Sequence, residues 1–291
     1  MENGLKIGEK LIGYGHPTWV CAEIGINANG SIDIAKELIN AAIEAGADCV
    51  KFQKRTINLN YTSQELAEPR QSSFGRTNGD LKQALEFSFD DYRKIDRHCY
   101  MKFPPIPWSA SAWDIESVDF LEQFNVSFHK IPSARNNDYE LIEHIAKTGK
   151  PVIVSCGMAT LREIDSVIKI IGENRIALMV STSNYPTKLK DLNLKRIQRL
   201  KNLYSNIPIG YSGHEVGLYT TLCAVAMGAN LIERHITLDR SMFGSDQAAS
   251  IEPIGFKKLI REIGDFEIAR GDDMLGMLPC EMEVARKLKR K

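Results

Sequence analysis

Ile207-Pro208-Ile209-Gly210-Tyr211-Ser212-Gly213-His214-Glu215 and Leu231-Ile232-Glu233-Arg234-His235-Ile236-Thr237-Leu238-Asp239 bracket a helix-period segment, Tyr219–Met227, that stops at Gly228. Each outer stretch is a short apolar, β-branched or aromatic run, as a strand buried on both faces should be. A strand, a helix and a second strand in this order form a right-handed parallel unit. Each run hands over to a histidine, His214 or His235, and the two lie 21 residues apart, from 214 to 235. That distance accommodates one helix and two short loops, so the strands are expected to be neighbours with their imidazoles at the same edge.

The same unit repeats through the chain. Apolar runs at Trp19–Gly25, Asp48–Gln53, Ile106–Ala110, Ser127–Ile131, Val152–Ser155, Ile176–Ser181, Ile207–Tyr211 and Leu231–His235 give eight expected strands. Helical patterns separate them, among them Asp33–Ala45 before Gly46, Leu161–Ile171 before Gly172 and Phe256–Ile268 shortly before Gly271. Eight alternations predict an α/β fold, a (β/α)8 TIM barrel, which at ~250 residues nearly accounts for a chain of 291. Leu5–Gly8 and Leu11–Tyr14, turning at Glu9-Lys10, read as a short amino-terminal hairpin closing the barrel's lower end. The expected organisation is therefore a hairpin over 1–17, the barrel over 18–276 and a tail over 277–291.

Composition narrows the function. Lys+Arg and Asp+Glu are both 37, giving a net charge of +0, which argues against nucleic acid or a membrane surface as the main partner. The six cysteines form no C-x-x-C pair and four lie in apolar runs, as small buried residues do in a reducing cytoplasm. No amino-terminal apolar stretch reads as a signal peptide, and no segment approaches the ~20 apolar residues of a membrane helix, so a cytoplasmic protein is expected.

In a parallel barrel, chemistry gathers where the strands end, so the polar residues there are the candidates. Neutral imidazole is the commonest side-chain ligand for a divalent metal, and two at matched strand ends, His214 and His235, point to a metal site. Glu23 and Asp246 are the nearest expected oxygen donors, with a structural ion pair as the alternative role for Glu23. Lys51 and Lys130, with Ser109, Ser111, Ser133 and Ser155 at neighbouring strand ends, make an anion pocket suited to phosphate and carboxylate on one small molecule. Ser181-Thr182-Ser183-Asn184-Tyr185-Pro186 adds a hydroxyl and amide cluster that could orient a carbonyl or a sugar hydroxyl, a plain turn being the alternative. A Lewis-acid metal beside an anion pocket suggests carbon–carbon bond formation. One connection, Lys54–Leu81, is long, lacks an apolar period and carries Arg55, Arg70 and Arg76, which marks it as a functional loop.

Through these residues the sequence resembles the sialic acid synthase family. The resemblance runs in order through Ala22–Gly25, Gly46–Lys54, Leu85–Ser88, Ile209–Glu215, Glu233–Arg240, Gly244–Asp246 and Leu278–Met282. It implies an enzyme that condenses phosphoenolpyruvate with an N-acylhexosamine, N-acetylmannosamine or its 6-phosphate, to give a nine-carbon 2-keto acid and phosphate, assisted by Mn2+ or Mg2+. It implies that His214 and His235 hold the metal and that Glu23 stands beside it as the acidic catalytic residue. Phosphoenolpyruvate would lie on Lys51, Ser111, Lys130, Ser133, Ser155 and Ser183, and the sugar would face Gln53, Tyr185 and Asp246. A homodimer is implied as well.

The chain departs from the family at Ala28, where histidine is usual, at Gln247, where histidine is frequent, and at Arg135, where an acidic residue is usual. Arg135 changes the sign of a sugar-side group and points to an acidic or phosphorylated aldose, with Arg76 of the long loop as a second candidate for that phosphate. The sequence stops before the carboxyl-terminal antifreeze-like domain with which relatives cover a partner's barrel. That lid would come from a partner, be missing from a truncated form, or be dispensable, with Arg135 or a loop arginine replacing its contact. Competing readings are the same chemistry on a legionaminic- or pseudaminic-type aldose, and a catalytically silent barrel acting as a binding partner.

Overall fold

A computed structural model describes residues 4–290. Its centre is a closed barrel of eight parallel strands. In chain order these are β3 (Trp19–Gly25), β4 (Cys49–Lys54), β7 (Trp108–Ala112), β8 (His129–Ile131), β9 (Val152–Ser155), β10 (Ile176–Ser181), β11 (Ile209–Gly213) and β12 (Leu231–His235). Each pairs with the next, and β12 closes on β3 through Leu231↔Trp19 to His235↔Glu23. Four of the expected runs coincide with strands residue for residue, and the others sit one or two residues early. Two of the displaced runs begin around Pro107 and Pro208, which have no N–H to give a ladder. Only their carbonyls pair, with Val50 N at 3.1 Å and Leu178 N at 3.0 Å, so regular pairing starts just beyond.

The hairpin is β1 (Leu5–Ile7) paired antiparallel with β2 (Lys10–Ile12). Its turn falls at Gly8-Glu9, one residue before the expected place, because Gly8 takes the left-handed conformation a two-residue turn requires (φ +58°). Leu5, Ile7 and Ile12 join Trp19, Cys21, Cys49, Phe128, Ile153, Ala177, Met179 and Leu231 in one buried cluster inside the barrel. Trp19 and Phe128 meet edge to face at 5.7 Å within it. Leu5, Ile7 and Ile12 of the hairpin thus fill the lower end of the barrel's inner apolar layer, and the hairpin forms a stopper there. The amino-terminal bound of the expected segment, Met1 to Asn3, lies outside the described residues.

The alternate strand residues, such as Val20, Ala22, Ile24, Val50 and Phe52, face the opposite way and pack with Leu38, Ile39, Ala42 and Phe256 of the surrounding helices. Helix Ile32–Ala45 illustrates the local logic. Ser31 caps its amino end by accepting from Ile34 N, its apolar residues recur at helical spacing, and Gly46 ends it in the left-handed region (φ 91°). The long connection after β4 is more ordered than its composition suggests. It holds short helices at Ile57–Asn60 and Ser63–Ala67, a hairpin of β5 (Pro69–Ser72) and β6 (Gly75–Thr77), and helix Asn78–Leu85. Helix caps organise it, since Thr62 with Glu65 and Thr77 with Asp80 are reciprocal capping boxes, a signal that does not depend on apolar period. The last barrel helix is Pro253–Arg270, and the region expected as a tail carries an exposed helix at Met282–Leu288. Among the described residues, no helix is long and apolar enough to cross a membrane. All six cysteines are free, with Cys21, Cys49, Cys99 and Cys156 buried.

Candidate active site

Because strand side chains alternate, residues two apart on each strand stack up the inside of the barrel. The apolar layer of Trp19, Cys21, Cys49 and Leu231 is succeeded upward by Glu23, Lys51, Gln53, Glu233 and His235. A cavity of about 180 Å³ opens above the stopper. Glu23, Lys51, Gln53, Ser111, Lys130, Ser133, Ser155, Ser183, Tyr185, His214 and His235 all line it. Eleven residues singled out in the sequence therefore converge on one space. Its wall also includes Trp113, Met158, Ser212 and Glu233, which the sequence reading did not assign.

The floor is a buried quartet of charges. Lys51 Nζ lies 2.5 Å from Glu23 Oε2 and 3.9 Å from Glu233 Oε2, while Lys130 Nζ lies 2.6 Å from Glu233 Oε2. Ser212 Oγ donates to Glu233 at 3.0 Å, and Lys51 donates to Ser111 at 2.9 Å. Two ammonium and two carboxylate groups balance, which is what permits their burial. Burial pushes the Glu23 carboxyl up to about 7, against the pull of Lys51 and with a further push from Glu233. Burial also works against charge on Glu233, but Lys130 and Lys51 override it and hold that carboxylate far below the usual range. Lys51 is held protonated, since Glu23 and Glu233 outweigh its desolvation. Of Glu23, Glu233 and Lys51, it is Glu23 that is poised to exchange a proton near neutral pH.

Two hydroxyls of the cavity wall, Ser133 and Ser183, close with the buried Ser181 around a missing side chain. A Cβ placed on Gly157 would lie 2.7 Å from the hydroxyl oxygens of Ser133, Ser181 and Ser183. Ser133 and Ser181 are also 3.2 Å from each other. Ser133 and Ser183 line the cavity beside Lys130 and Ser155 and make with them a cradle suited to an oxyanion. The glycine at 157 leaves these hydroxyls room to approach one another, a contribution the sequence reading did not assign.

At the ends of the next two strands, β11 and β12, stand the two histidines, their ring centroids 5.6 Å apart. His214 Nδ1 faces the carbonyl of Thr182 at 2.8 Å, so it must carry the proton and leave Nε2 as an acceptor. The Tyr185 ring lies tilted over this one, centroids 4.1 Å apart, and its hydroxyl donates to Nε2 at 3.0 Å. Burial, reinforced by the neighbouring His235, lowers His214 to about 4, and burial with the nearby Lys51 lowers His235 to about 3. Both rings are neutral at pH 7, the form that binds metals. His235 Nδ1 is buried without a hydrogen-bond partner, 3.8 Å from Asp246 Oδ2. These rings fit a divalent cation. Among the described residues, no group of three or more His, Cys, Asp or Glu is placed to hold one, so the remaining coordination would fall to water and substrate oxygens, as in catalytic metal sites.

Three of the expected sugar-side residues stand off the cavity wall. Asp246 is buried behind His235. Arg135 lies over the indole of Trp113 at 5.6 Å, bonded to Asn60 and 3.6 Å from Asp138. Arg76 sits exposed on β6, where its backbone N–H bonds Asp80 at 2.9 Å, and it does not reach the cavity. The loop arginine that does approach is Arg55, buried between Glu86 at 3.1 Å and the ring of Trp113 at 4.7 Å.

A parallel barrel whose lysines, carboxylates and paired imidazoles meet in one cavity at the strand ends has the layout of a barrel enzyme. The chain belongs to the NeuB family, whose pattern it matches over residues 38–274. It is 40% identical over 284 residues to N-acetylneuraminate-9-phosphate synthase of Homo sapiens, covering 96% of this chain and 78% of that protein. It is 35% identical over 263 residues to N,N'-diacetyllegionaminic acid synthase of Campylobacter jejuni, covering 88% and 78%. Among solved structures it is similar to the N-acetylneuraminic acid synthetase of Leptospira borgpetersenii in complex with citrate, at a TM-score of 0.82 and 31% identity, covering 99% and 98%. It is thus a synthase of the kind that builds sialic-acid-type sugars.

Proposed function

We propose that the protein condenses phosphoenolpyruvate with an open-chain N-acylhexosamine, N-acetylmannosamine or its 6-phosphate, to form N-acetylneuraminate or its 9-phosphate and inorganic phosphate. The observation that carries this reading is that Lys51, Lys130, Ser133, Ser155 and Ser183 line one cavity together with His214 and His235. A phosphate in the cradle places the carboxylate of the same molecule within reach of Lys51 and Ser111, and its enol carbon toward the imidazoles. An aldehyde held there receives the new carbon–carbon bond. Mn2+ or Mg2+ held by His214 and His235 would polarise the aldehyde oxygen as a Lewis acid.

The lysines act by preorganisation. Lys51 and Lys130 are fixed by Glu23 and Glu233 before substrate arrives, so no reorganisation is needed when charge shifts during reaction. As the enol carbon attacks, positive charge grows at C2, and the carboxylates of Glu23 and Glu233 lie beside it. Water adds at C2, Glu23 takes its proton, and the tetrahedral adduct collapses to the ketone with cleavage of the C–O bond to phosphate. A carboxyl poised near pH 7 can receive that proton and return one to the nascent alkoxide. Tyr185, tilted over His214, and Gln53, 3.5 Å from Glu23, border the space left for the sugar.

The test is incubation with Mn2+, phosphoenolpyruvate and each of N-acetylmannosamine, its 6-phosphate and the diacetylated aldoses of legionaminic and pseudaminic type, reading phosphate release and product mass. Turnover of a mannosamine with a nine-carbon product supports the reading, and turnover of a diacetylated aldose alone would move the substrate while keeping the chemistry. No phosphate release with any aldose would overturn it.

A further inference from the structure

Directly behind the two imidazoles lies an ion pair that the chemistry above does not use. Glu215 follows His214 in sequence and Arg234 precedes His235, and both are fully buried. Alternation along β12 turns Arg234 outward while Glu233 and His235 turn in. From there its guanidinium donates to Glu215 Oε1 at 3.0 Å, Glu215 O at 2.5 Å, Gly217 O at 3.0 Å and Thr221 Oγ1 at 2.6 Å. The Glu215 carboxylate also accepts from Tyr211 Oη at 2.8 Å and Thr220 Oγ1 at 2.5 Å. One side chain of β12 thus grips both the side chain and the main chain of the loop that carries His214.

We propose that Glu215 and Arg234 are positioning residues, a clasp that fixes the distance and mutual aim of His214 and His235 for a shared divalent cation. The inference rests on the reading of these histidines as metal ligands. Three observations favour a positioning role over simple stabilisation. A fully buried ion pair is a poor source of net stability, since desolvation consumes most of its attraction. The pair joins the residue after one imidazole to the residue before the other, so any slack in it appears as a change in ring separation. The ring of His214 is oriented by Thr182 O and its main chain is tied to Thr187 N at 2.9 Å, but both contacts hold it to the segment after β10. The β11–β12 ladder ends at Gly213↔Arg234, and beyond it the tie of the His214 loop to β12 is the clasp. The backbone is tight around the carboxylate, for a Cβ on Gly213 would lie 2.7 Å from both Glu215 Oε2 and the Tyr211 ring. Arginine is required because only a planar fork can meet four acceptors at once.

The test uses E215Q and R234K in the full chain. Mn2+ affinity, read by electron paramagnetic resonance, should fall at least about tenfold, the scale seen when groups that orient metal ligands are removed. Phosphoenolpyruvate affinity measured without metal should stay within about twofold, a split that general loosening of the fold would not give. Crystal structures of the metal-free variants should show the ring separation displaced by more than about 0.5 Å, the tolerance of a working site. If R234K does not fold, E215Q and T221V carry the same expectation. Unchanged Mn2+ affinity with unchanged ring separation in folded variants overturns the clasp. Should the wild type bind no Mn2+, the metal reading falls, and the ring separation alone decides whether the clasp positions the histidines.

Discussion

Replacing Gly157 with alanine should disable the oxyanion cradle while leaving the fold intact. The added methyl would stand 2.7 Å from the hydroxyl oxygens of Ser133, Ser181 and Ser183, nearer than real Cβ contacts come. Single serine hydroxyls can rotate away cheaply, but three must do so together, and the direction they vacate is the one from which an anion would be bound. Gly157 is not among the glycines at positive φ, so alanine meets no backbone strain there. A hydrogen bond to a charged group contributes about 1.5–3 kcal/mol. Losing two of the three therefore costs about 3–6 kcal/mol, or roughly 10² to 10⁴ in Kd at 1.4 kcal/mol per factor of ten. The assay is calorimetric titration of phosphoenolpyruvate into wild type and variant, with the urea midpoint as the control for folding. A Kd within threefold of wild type would refute the assignment of the cradle to the phosphate.

Other expectations follow from individual burial and charge. Between about pH 5 and 6, unfolding should take up two protons on His214 and His235, whose pKa values return from about 4 and 3 toward ~6.5, and release one from Glu23, whose value returns from about 7 toward ~4.3. Across these three groups the unfolded state then binds one proton more, so in the metal-free protein they contribute a fall in stability of about 1.4 kcal/mol for each unit the pH is lowered; urea midpoints read this as a steeper pH dependence in wild type than in His235→Asn, which removes that contribution. Arg76→Ala should leave aldose kinetics within about twofold, because the side chain is exposed away from the cavity, whereas Arg135→Gln, which lifts a guanidinium off Trp113, should raise the aldose KM and spare that of phosphoenolpyruvate. Ile12→Ala, at a fully buried position in the stopper, should cost about 2–5 kcal/mol in denaturant titration without altering the KM of either substrate.

What could be read from the chain, and what could not, divides along a physical line. The eight strands were legible because a strand buried on both faces is an unbroken apolar run, and the helices between them ended at glycines such as Gly46 and Gly172 that later proved to have positive φ. The long connection after β4 was opaque to that method, since Thr62, Glu65, Thr77 and Asp80 build its helices by capping and not by an apolar face. His214 stands just beyond its apolar run, while Lys51, Lys130 and His235 lie within the last three residues of theirs, where a charged or imidazole side chain is conspicuous at a strand end. Glu233 stands at the same depth, and its place two residues before His235 puts it on the same inward face, but its meaning depends on lysines from other strands that the local pattern does not bring together. Gly157 leaves no mark in a local pattern, since its contribution is the space left among hydroxyls drawn from two other segments, Ser133 from one and Ser181 with Ser183 from another.

Arg234 shows why the two faces of a barrel strand have to be read together. Glu233, Arg234 and His235 are consecutive, yet the first balances the lysines of the floor, the second grips the loop behind His214, and the third faces the cavity. A charged triplet in the middle of a buried strand would be costly if its members shared one environment. Alternation sends them to two, where each meets a partner set by the barrel's register: Gly213 beside Arg234, Ser212 beside Glu233. A shift of one residue in that pairing would point Arg234 at Lys51 and Lys130 and strand Glu233 among the apolar helix contacts. The register of β11 against β12 is therefore fixed by charge as well as by apolar packing, and the same residues that make the site reactive also specify the strand pairing that assembles it.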